Sequence, residues 1–438
     1  MLPNDQVPTF NLKAVVRETG LKPDTLRAWE RRYDLPQPQR TPGGHRLYSQ
    51  RDIDTLKWLV ARQREGLSIS RAVDLWRQLE AGNQDPLNRV AQPQVISAVS
   101  TANGEALTDF REAWIAACLD FDEQRANYIL TEAFALFTPE IVCTELMMPG
   151  LAHIGQGWYE GETTVQQEHF ASALAIRRLE ALLAAAPAPT RVERLLIGCP
   201  PEEEHVFGPL VLTLLLRRRG WGVLYLGANV PLDHMEQTIV SATPALVILS
   251  AQQLPTAATL LKMTWHLQPA QVPVAYGGRI FNLLPGLRNR IPGHYLGEDL
   301  EMVPQKVERL VRDRTAPPPA EGASDEYRQA LAWYRERRSA IDAGVWQAMS
   351  ETDFSSNYLS LANSNISRYV TAALILGDMD FLGNDIDWLE GLLVNYDLAP
   401  GLIPRYLEVY HQVAERQLNA RGKPILDWLA QLNSSYDH

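Results

Sequence analysis

The chain has 438 residues, of which 46% are apolar and 21% are charged. This balance is typical of globular proteins, and the length is enough for about three domains. No apolar run reaches the roughly 20 residues of a membrane helix, and the first residues lack the pattern of a secretory signal. Three widely separated cysteines favour a reduced, cytoplasmic protein without a membrane partner.

Charge is unevenly distributed along the chain. The formal net charge of −11 argues against a protein that coats nucleic acid along its whole length. Residues 1–80, however, contain 14 Lys and Arg and 10 Asp and Glu, a net charge of +4, which leaves −15 for the remainder. A basic first region on an acidic body indicates that only the first region meets nucleic acid.

Residues 1–80 have the pattern of a winged helix-turn-helix domain. A short amphipathic helix stops at Gly20, Pro23 begins an Arg-rich second helix, and residues 41–48 predict a hairpin. An isolated Arg-rich helix is more often a solvated surface, but arginines and aromatics followed by a basic wing favour groove and phosphate contacts. The candidate DNA-binding residues are Thr25, Arg27, Trp29, Arg31, Arg32, Tyr33, Arg40, His45, Arg46 and Tyr48.

The run from Thr25 to Tyr33, followed by Arg40 to Ser49, closely resembles the winged helix-turn-helix of the MerR family. The resemblance implies a dimer on a palindromic operator in double-stranded DNA. MerR dimers usually form through a long helix after this module. Residues 68–80 are short for such a helix, so dimerisation is expected elsewhere in the chain.

Residues 81–103 are polar with scattered prolines and predict a flexible linker. Residues 104–190 predict a four-helix bundle, because apolar residues recur at helical spacing with short connections. Near its end stand Trp158 and, nine residues later, Glu168 and His169. Val165, Glu168 and His169 fall on one helical face. Each of these residues taken alone is more simply read as structural.

Residues 191–313 predict a doubly wound, Rossmann-like α/β domain with a parallel sheet, because apolar strands alternate with amphipathic helices. The first strand is followed by Glu203-x-His205-x-x-Gly208 instead of a dinucleotide fingerprint. A histidine at the C-terminal end of such a strand, beside carboxylates, is a candidate metal ligand. Ser250 and the pair Gly277-Gly278 follow later strands.

The motif of Glu203, His205 and Gly208, together with Ser250, Gly277 and Gly278, is similar to the cobalamin-binding Rossmann domain of methionine synthase and its relatives. The spacing from Trp158 to Glu168-His169 resembles the helical cap of the CarH-like repressors, light sensors that bind adenosylcobalamin.

The resemblance implies that His205 coordinates cobalt. It also implies that Ser250, Gly277 and Gly278 line the slot for the dimethylbenzimidazole tail, and that the Trp158, Val165 and Glu168 positions pack around the adenosyl group. The expected protein is therefore a non-enzymatic transcriptional regulator, a repressor in particular. Adenosylcobalamin and light would control its homo-oligomeric state (dimer or tetramer) and its DNA binding.

Tyr159 departs from the family pattern, since a histidine that can take the upper cobalt position follows the tryptophan in well-known members. A neutral tyrosine is a poor cobalt ligand, so His169 or His153 would have to substitute. Two alternatives stay open: a regulator that senses another tetrapyrrole (bilin or haem) or cobalamin without light, and a cobalamin-dependent methyltransferase-type module.

Residues 314–324 predict a Pro-rich linker, and residues 325–438 a further all-helical region. A packing or oligomerisation role is the simpler interpretation of this region, with a second chromophore or a protein partner as the alternative. The expected fold class is thus multidomain, α and α/β.

Overall fold

The computed structural model describes residues 8–19, 21–40, 46–64, 69–81, 102–350, 356–383 and 402–436. The chain divides into two compact units. One contains Met1–Ala113 and Gln124–Val142, and the other contains Trp114–Glu123 and Cys143–His438. Among the described residues, no helix has the length and apolar character needed to cross a membrane.

The first unit begins with a small helical module that carries a three-stranded antiparallel sheet of order β1-β3-β2. Pro23 begins the second helix, and Asp34 ends it in the left-handed conformation while donating its N–H to the Glu30 carbonyl. The predicted helix-turn-helix and wing strands are confirmed, and the hairpin tip at 41–45 lies outside the described residues. The elements are β1 (Phe10–Asn11), α1 (Leu12–Thr19), α2 (Pro23–Tyr33), β2 (Gln39–Arg40), β3 (Arg46–Tyr48), α3 (Gln50–Arg64) and α4 (Ile69–Ala81).

Helices fill residues 102–184, as the apolar spacing predicts. They are α5 (Ala102–Leu119), α6 (Glu123–Leu136), α7 (Pro139–Ile141), a π-helical turn (Val142–Met147), α8 (Met148–Tyr159) and α9 (Val165–Ala184). Thr164 and Gln167 form a capping box that fixes the start of α9. Most of the predicted linker at 81–103 lies outside the described residues, but its two ends belong to α4 and α5.

A five-stranded parallel sheet with helices on its faces follows, so the doubly wound α/β prediction is confirmed. Its strand order is β5-β4-β6-β7-β8, and the order reverses between β4 and β6. Such a switch point opens a crevice at the carboxyl ends of the strands, where ligands bind. The elements are β4 (Arg194–Gly198), α10 (Phe207–Arg218), β5 (Gly222–Tyr225), α11 (Met235–Ala242), β6 (Leu246–Ser250), α12 (Leu254–Leu267), β7 (Val274–Gly277), α13 (Arg279–Leu283), β8 (His294–Tyr295) and α14 (Val303–Asp313).

The last region is helical in its described parts, as predicted, and it includes a 3₁₀ turn at Met379–Leu382. The segment 384–401 lies outside the described residues. The described helices are α15 (Asp325–Met349), α16 (Ser356–Leu376), α17 (Leu402–Leu418) and α18 (Lys423–Tyr436), with a 3₁₀ turn at Asn419–Gly422.

The sheet and the last helical region share one apolar core. A continuous cluster of buried side chains runs from Leu196 in β4 through Leu260 in α12 to Ile366 in α16 and Leu432 in α18. Residues 314–324, predicted as a linker, are mostly exposed, yet the Glu321 N–H donates to the Asn289 carbonyl at 2.8 Å. This segment therefore connects two regions that pack against each other.

Candidate functional site

The loop between β4 and α10 carries Glu203 and His205 at the switch point of the sheet. The Glu203 side chain is completely buried, and one of its oxygens, Oε1, lies 2.6 Å from His205 Nδ1. The same oxygen accepts the backbone N–H of His205 at 2.9 Å. Its other oxygen, Oε2, accepts the backbone N–H of Gln252 and the hydroxyl of Thr256, each at 2.6 Å. Four hydrogen bonds thus hold this buried carboxylate.

These contacts shift the pKa values of both partners. Burial acts to raise the pKa of Glu203, but hydrogen bonds from His205, Thr256 and Gln252 outweigh it, so the pKa is lowered. The hydrogen bond to Glu203 raises the pKa of His205 above its ordinary value, against the effect of burial. The Glu168 charge adds to this rise, and Arg279 opposes it. Glu203 is therefore a persistent anion beside a more basic imidazole.

The geometry leaves one nitrogen of His205 available. Because Nδ1 is held by Glu203, the neutral imidazole carries its proton there and presents the lone pair of Nε2. The His205 side chain is 59% exposed, so this nitrogen can be reached from the crevice. A carboxylate–histidine pair of this kind orients metal-binding histidines.

Glycines border the space beside this loop. A Cβ placed on Gly208 or Gly277 would meet nothing within 4 Å. Gly278 is different, because it has φ +119° and a Cβ there would lie 2.0 Å from the Ala251 carbonyl oxygen. The Ser250 hydroxyl accepts the side-chain N–H of Gln252 at 3.1 Å. Open space at Gly208 and Gly277 fits a broad group that approaches the backbone closely.

The start of α9 presents three of the predicted cap residues. Val165 is 40% exposed, so its side chain can contact a group outside the helix. Glu168 Oε2 lies 2.7 Å from His169 Nδ1, and its Oε1 accepts the Ser172 hydroxyl at 2.6 Å. Helix α9 packs against α10, the helix that begins directly after the His205 loop.

Trp158 is half-buried at the end of α8, one short turn before α9. The turn is tight, because a Cβ on Gly157 would meet Thr163 Cγ2 at 2.9 Å and the Thr163 hydroxyl donates to the Ile154 carbonyl. His153 is exposed on α8. The Tyr159 side chain lies outside the described residues.

Two residues that bind the Glu203 carboxylate, Gln252 and Thr256, were missed by the sequence reasoning. Both belong to the turn and first helical residues after Ser250. Hydroxyl and amide groups at the start of a helix could have indicated that an anion binds there, because the backbone N–H groups at a helix N-terminus attract an anion.

In the DNA-binding module, Glu30 of α2 anchors the wing. Its carboxylate accepts Arg46 Nε at 2.8 Å and the Tyr48 hydroxyl at 2.7 Å. Tyr48 is fully buried and Trp29 is 5% exposed, so both side chains belong to the core of the module. Their assignment as DNA-contacting residues is therefore corrected: they hold α2 and the wing together.

Other candidate residues lie on the surface of α2. Arg27, Arg31 and Arg32 are exposed, and the Arg32 guanidinium lies 5.6 Å from the centre of the Tyr33 ring. Thr25 is half-buried at the start of the same helix. Arg40 lies in β2, but its side chain is outside the described part of the structure. His45 lies entirely outside the described residues. The exposed arginines give one face of α2 the positive charge that phosphates attract.

Comparisons with known proteins match the DNA-binding module and the helical region that follows it. Residues 10–79 match the MerR HTH family regulatory proteins, and residues 111–183 match the B12 binding domain. The HTH-type transcriptional repressor CarH of Myxococcus xanthus is 33% identical over 296 residues, which cover 66% of this chain and 96% of CarH. The repressor CarA of the same organism is 32% identical over 246 residues, 55% of this chain and 76% of CarA.

Similarity to other proteins is more local. The HTH-type transcriptional regulator MlrA of Escherichia coli (strain K12) is 47% identical over 62 residues, 14% of this chain and 26% of MlrA. Among solved structures, the monomethylamine corrinoid protein of Methanosarcina barkeri has a TM-score of 0.41 and 13% identity, over 46% of this chain and 99% of that protein. With a MerR-type DNA-binding module, a B12 binding domain and a relative matched over nearly its whole length, this chain belongs to the CarH-like family of HTH-type transcriptional repressors.

Proposed function

We propose that this protein regulates transcription as a DNA-binding repressor whose assembly is controlled by adenosylcobalamin and light. The observation that supports it best is the Glu203–His205 pair, which presents Nε2 at the switch point of the sheet beside open space at Gly208 and Gly277. A single histidine supplies one ligand, so a metal bound there takes its other ligands from a second molecule, as in a corrinoid ring. The residues present therefore fit cobalamin.

In this proposal His205 would ligate the cobalt, while Glu203 fixes the imidazole. Ser250, Gly277 and Gly278 border the slot for the nucleotide tail. Gly278 adopts the positive φ that the backbone has at this point, and the absence of a side chain at Gly277 leaves space for the tail. The α/β domain thus supplies the lower half of the site.

The cap supplies the upper half. Trp158, Val165, Glu168 and His169 would enclose the adenosyl group, which would cover the partly exposed Val165. Tyr159 replaces the usual upper histidine. His169 and His153 are the two candidate substitutes; both are exposed, and Nδ1 of His169 lies 2.7 Å from Glu168 Oε2.

Adenosylcobalamin, when bound, supplies a cobalt–carbon bond that light cleaves. Without the adenosyl group, Val165 at the start of α9 would lose its packing partner in the cap. The cap would then shift, and an oligomer that depends on its position would separate. Because several DNA-binding modules on one oligomer bind a palindromic operator jointly, separation weakens operator binding strongly.

The test compares cofactor-loaded protein in the dark and after illumination, by gel filtration and by binding to operator DNA. Loss of the larger species and of DNA binding after light is the expected result. Identical elution and affinity in both states would remove light control from the proposal. His205→Ala serves as the control, and weaker cobalamin binding with an altered visible spectrum is expected for it.

The proposed output is regulation and not catalysis. The absorption spectrum of the purified protein separates the alternatives, because corrinoid, bilin and haem bands differ. A corrinoid spectrum without any DNA binding would favour the methyltransferase-type module instead.

A further inference from the structure

Helix α12 of the α/β domain links the last helical region to the His205 loop, and it is buried on both faces. In α12, 11 of 14 residues are buried, although an outer helix of a doubly wound sheet usually exposes one face. The outward face of α12 packs against α16, and the two helices share one apolar core. The position of α12 is therefore fixed by the sheet and by the C-terminal region together.

The N-terminal part of α12 in turn holds the loop. Thr256 donates its hydroxyl to Glu203 Oε2 at 2.6 Å, and the Thr259 hydroxyl donates to the Pro201 carbonyl at 2.7 Å. Displacement of α12 would thus move the carboxylate that orients His205.

A second contact reaches the loop directly. Glu202 has φ +70°, a backbone conformation that costs free energy for a residue with a side chain. It is held at both ends: its N–H donates to Asn229 Oδ1 at 2.9 Å, and its carboxylate lies 3.6 Å from Arg368 Nε of α16. Burial lowers the pKa of Lys262 in α12, the positive charge of Arg335 lowers it further, and the negative charge of Glu202 raises it.

We infer that the C-terminal helical region positions the corrinoid-binding loop, with Arg368 as the positioning residue that clamps Glu202 three residues before His205. The inference rests on the proposed function only for what the loop binds. It gives residues 325–438 a role: they set how firmly His205 is held, and, because coupling is reciprocal, binding at His205 is felt by α16.

The expected size of the effect of losing this ion pair follows from how exposed its two side chains are. Arg368 and Glu202 are 37% and 55% exposed, and ion pairs of this kind change an equilibrium by about two- to fivefold. Arg368→Gln should therefore raise hydrogen exchange of the backbone amides in the 199–206 loop by about that factor in the ligand-free full-length protein. It should weaken hydroxocobalamin binding, followed by absorbance, to the same degree, with a smaller spectral change from His205 coordination.

The controls separate positioning from general stability. Arg405→Gln removes an ion pair of similar exposure on α17, with Glu408 at 2.8 Å, and should change neither readout. Arg368→Lys should restore most of both. In a Glu202→Gln background, Arg368→Gln should add no further effect, because the interaction is already gone.

Each outcome decides one question. Unchanged loop exchange in Arg368→Gln, or an equal effect in Arg405→Gln, would overturn the positioning role. Additive effects of Arg368→Gln and Glu202→Gln would overturn it as well. Failure of the wild-type protein to bind hydroxocobalamin would overturn the proposed function instead, and the exchange experiment on ligand-free protein would still decide the inference.

Discussion

Glu203 Oε1 lies 2.6 Å from His205 Nδ1, yet Glu203 is fully buried whereas His205 is 59% exposed. The pair therefore spans the boundary between core and crevice: the interior fixes the anion, and the anion fixes an imidazole that faces outward.

Glu203→Gln should lower the pKa of His205 in the ligand-free protein, because the hydrogen bond and charge that raise it are lost while the partial desolvation of the imidazole, which lowers it, remains. NMR titration measures this, and the pKa of His294 in the same sample should not move. Coordination needs a neutral imidazole, so corrinoid binding should weaken as pH falls through the raised pKa of His205. In the variant this loss should occur at lower pH. An unchanged pKa of His205 would contradict the structure of the pair.

Thr256→Val should destabilise the α/β domain by about 1.5–3 kcal/mol, because a buried carboxylate loses a hydroxyl donor at constant side-chain shape. Urea unfolding followed by circular dichroism checks this. The matched control is Thr213→Val on α10, whose buried hydroxyl donates only to the Pro209 carbonyl of its own helix. Equal losses for the two variants would show that the Thr256 hydroxyl does nothing specific for Glu203.

Gly277→Ala and Gly278→Ala should differ sharply. At Gly277 a Cβ meets nothing within 4 Å, so stability should be almost unchanged while cobalamin affinity falls, since the methyl group intrudes on the proposed slot. At Gly278 the positive φ and the Ala251 carbonyl oxygen oppose any Cβ, so about 2 kcal/mol or more of stability should be lost. Thermal unfolding and absorbance titration separate the two. Undiminished cobalamin affinity in Gly277→Ala would place the tail elsewhere.

Two substitutions in the DNA-binding module should have opposite effects on DNA binding and on stability. Arg31→Ala should weaken operator binding and reduce its salt dependence by about one phosphate contact, without lowering the melting temperature. Tyr48→Phe should instead destabilise the module by about 1–3 kcal/mol, because Glu30 loses a hydrogen-bond donor, and should leave operator affinity intact below the melting temperature. Weaker DNA binding by a fully stable Tyr48→Phe protein would restore Tyr48 as a contact residue.

Much of the fold could be predicted from local pattern. Apolar strands that alternate with amphipathic helices predicted the parallel sheet, and the loop around His205 stood out because a polar motif interrupts apolar elements. Trp29 and Tyr48 were misassigned, since an aromatic residue beside arginines has the same sequence pattern whether it packs inward or contacts DNA.

The link between Glu202 and Arg368 could not be predicted. The two residues are far apart in sequence, and their contact depends on how α16 packs onto α12. The apolar outward face of α12 was a partial signal, because a helix that is apolar all round needs a partner on each side. The sequence did not show that this partner is α16.

The two-sided burial of α12 has a practical consequence for work on this protein. A chain shortened after Asp313, near the length matched in CarH, would expose the outer face of α12 as an apolar ridge. Such a ridge invites aggregation or non-native pairing between copies. Oligomer sizes measured on a shortened chain would then include non-native association through the exposed face of α12. Any change of oligomeric state on illumination would be measured from an assembly that the full-length protein does not form.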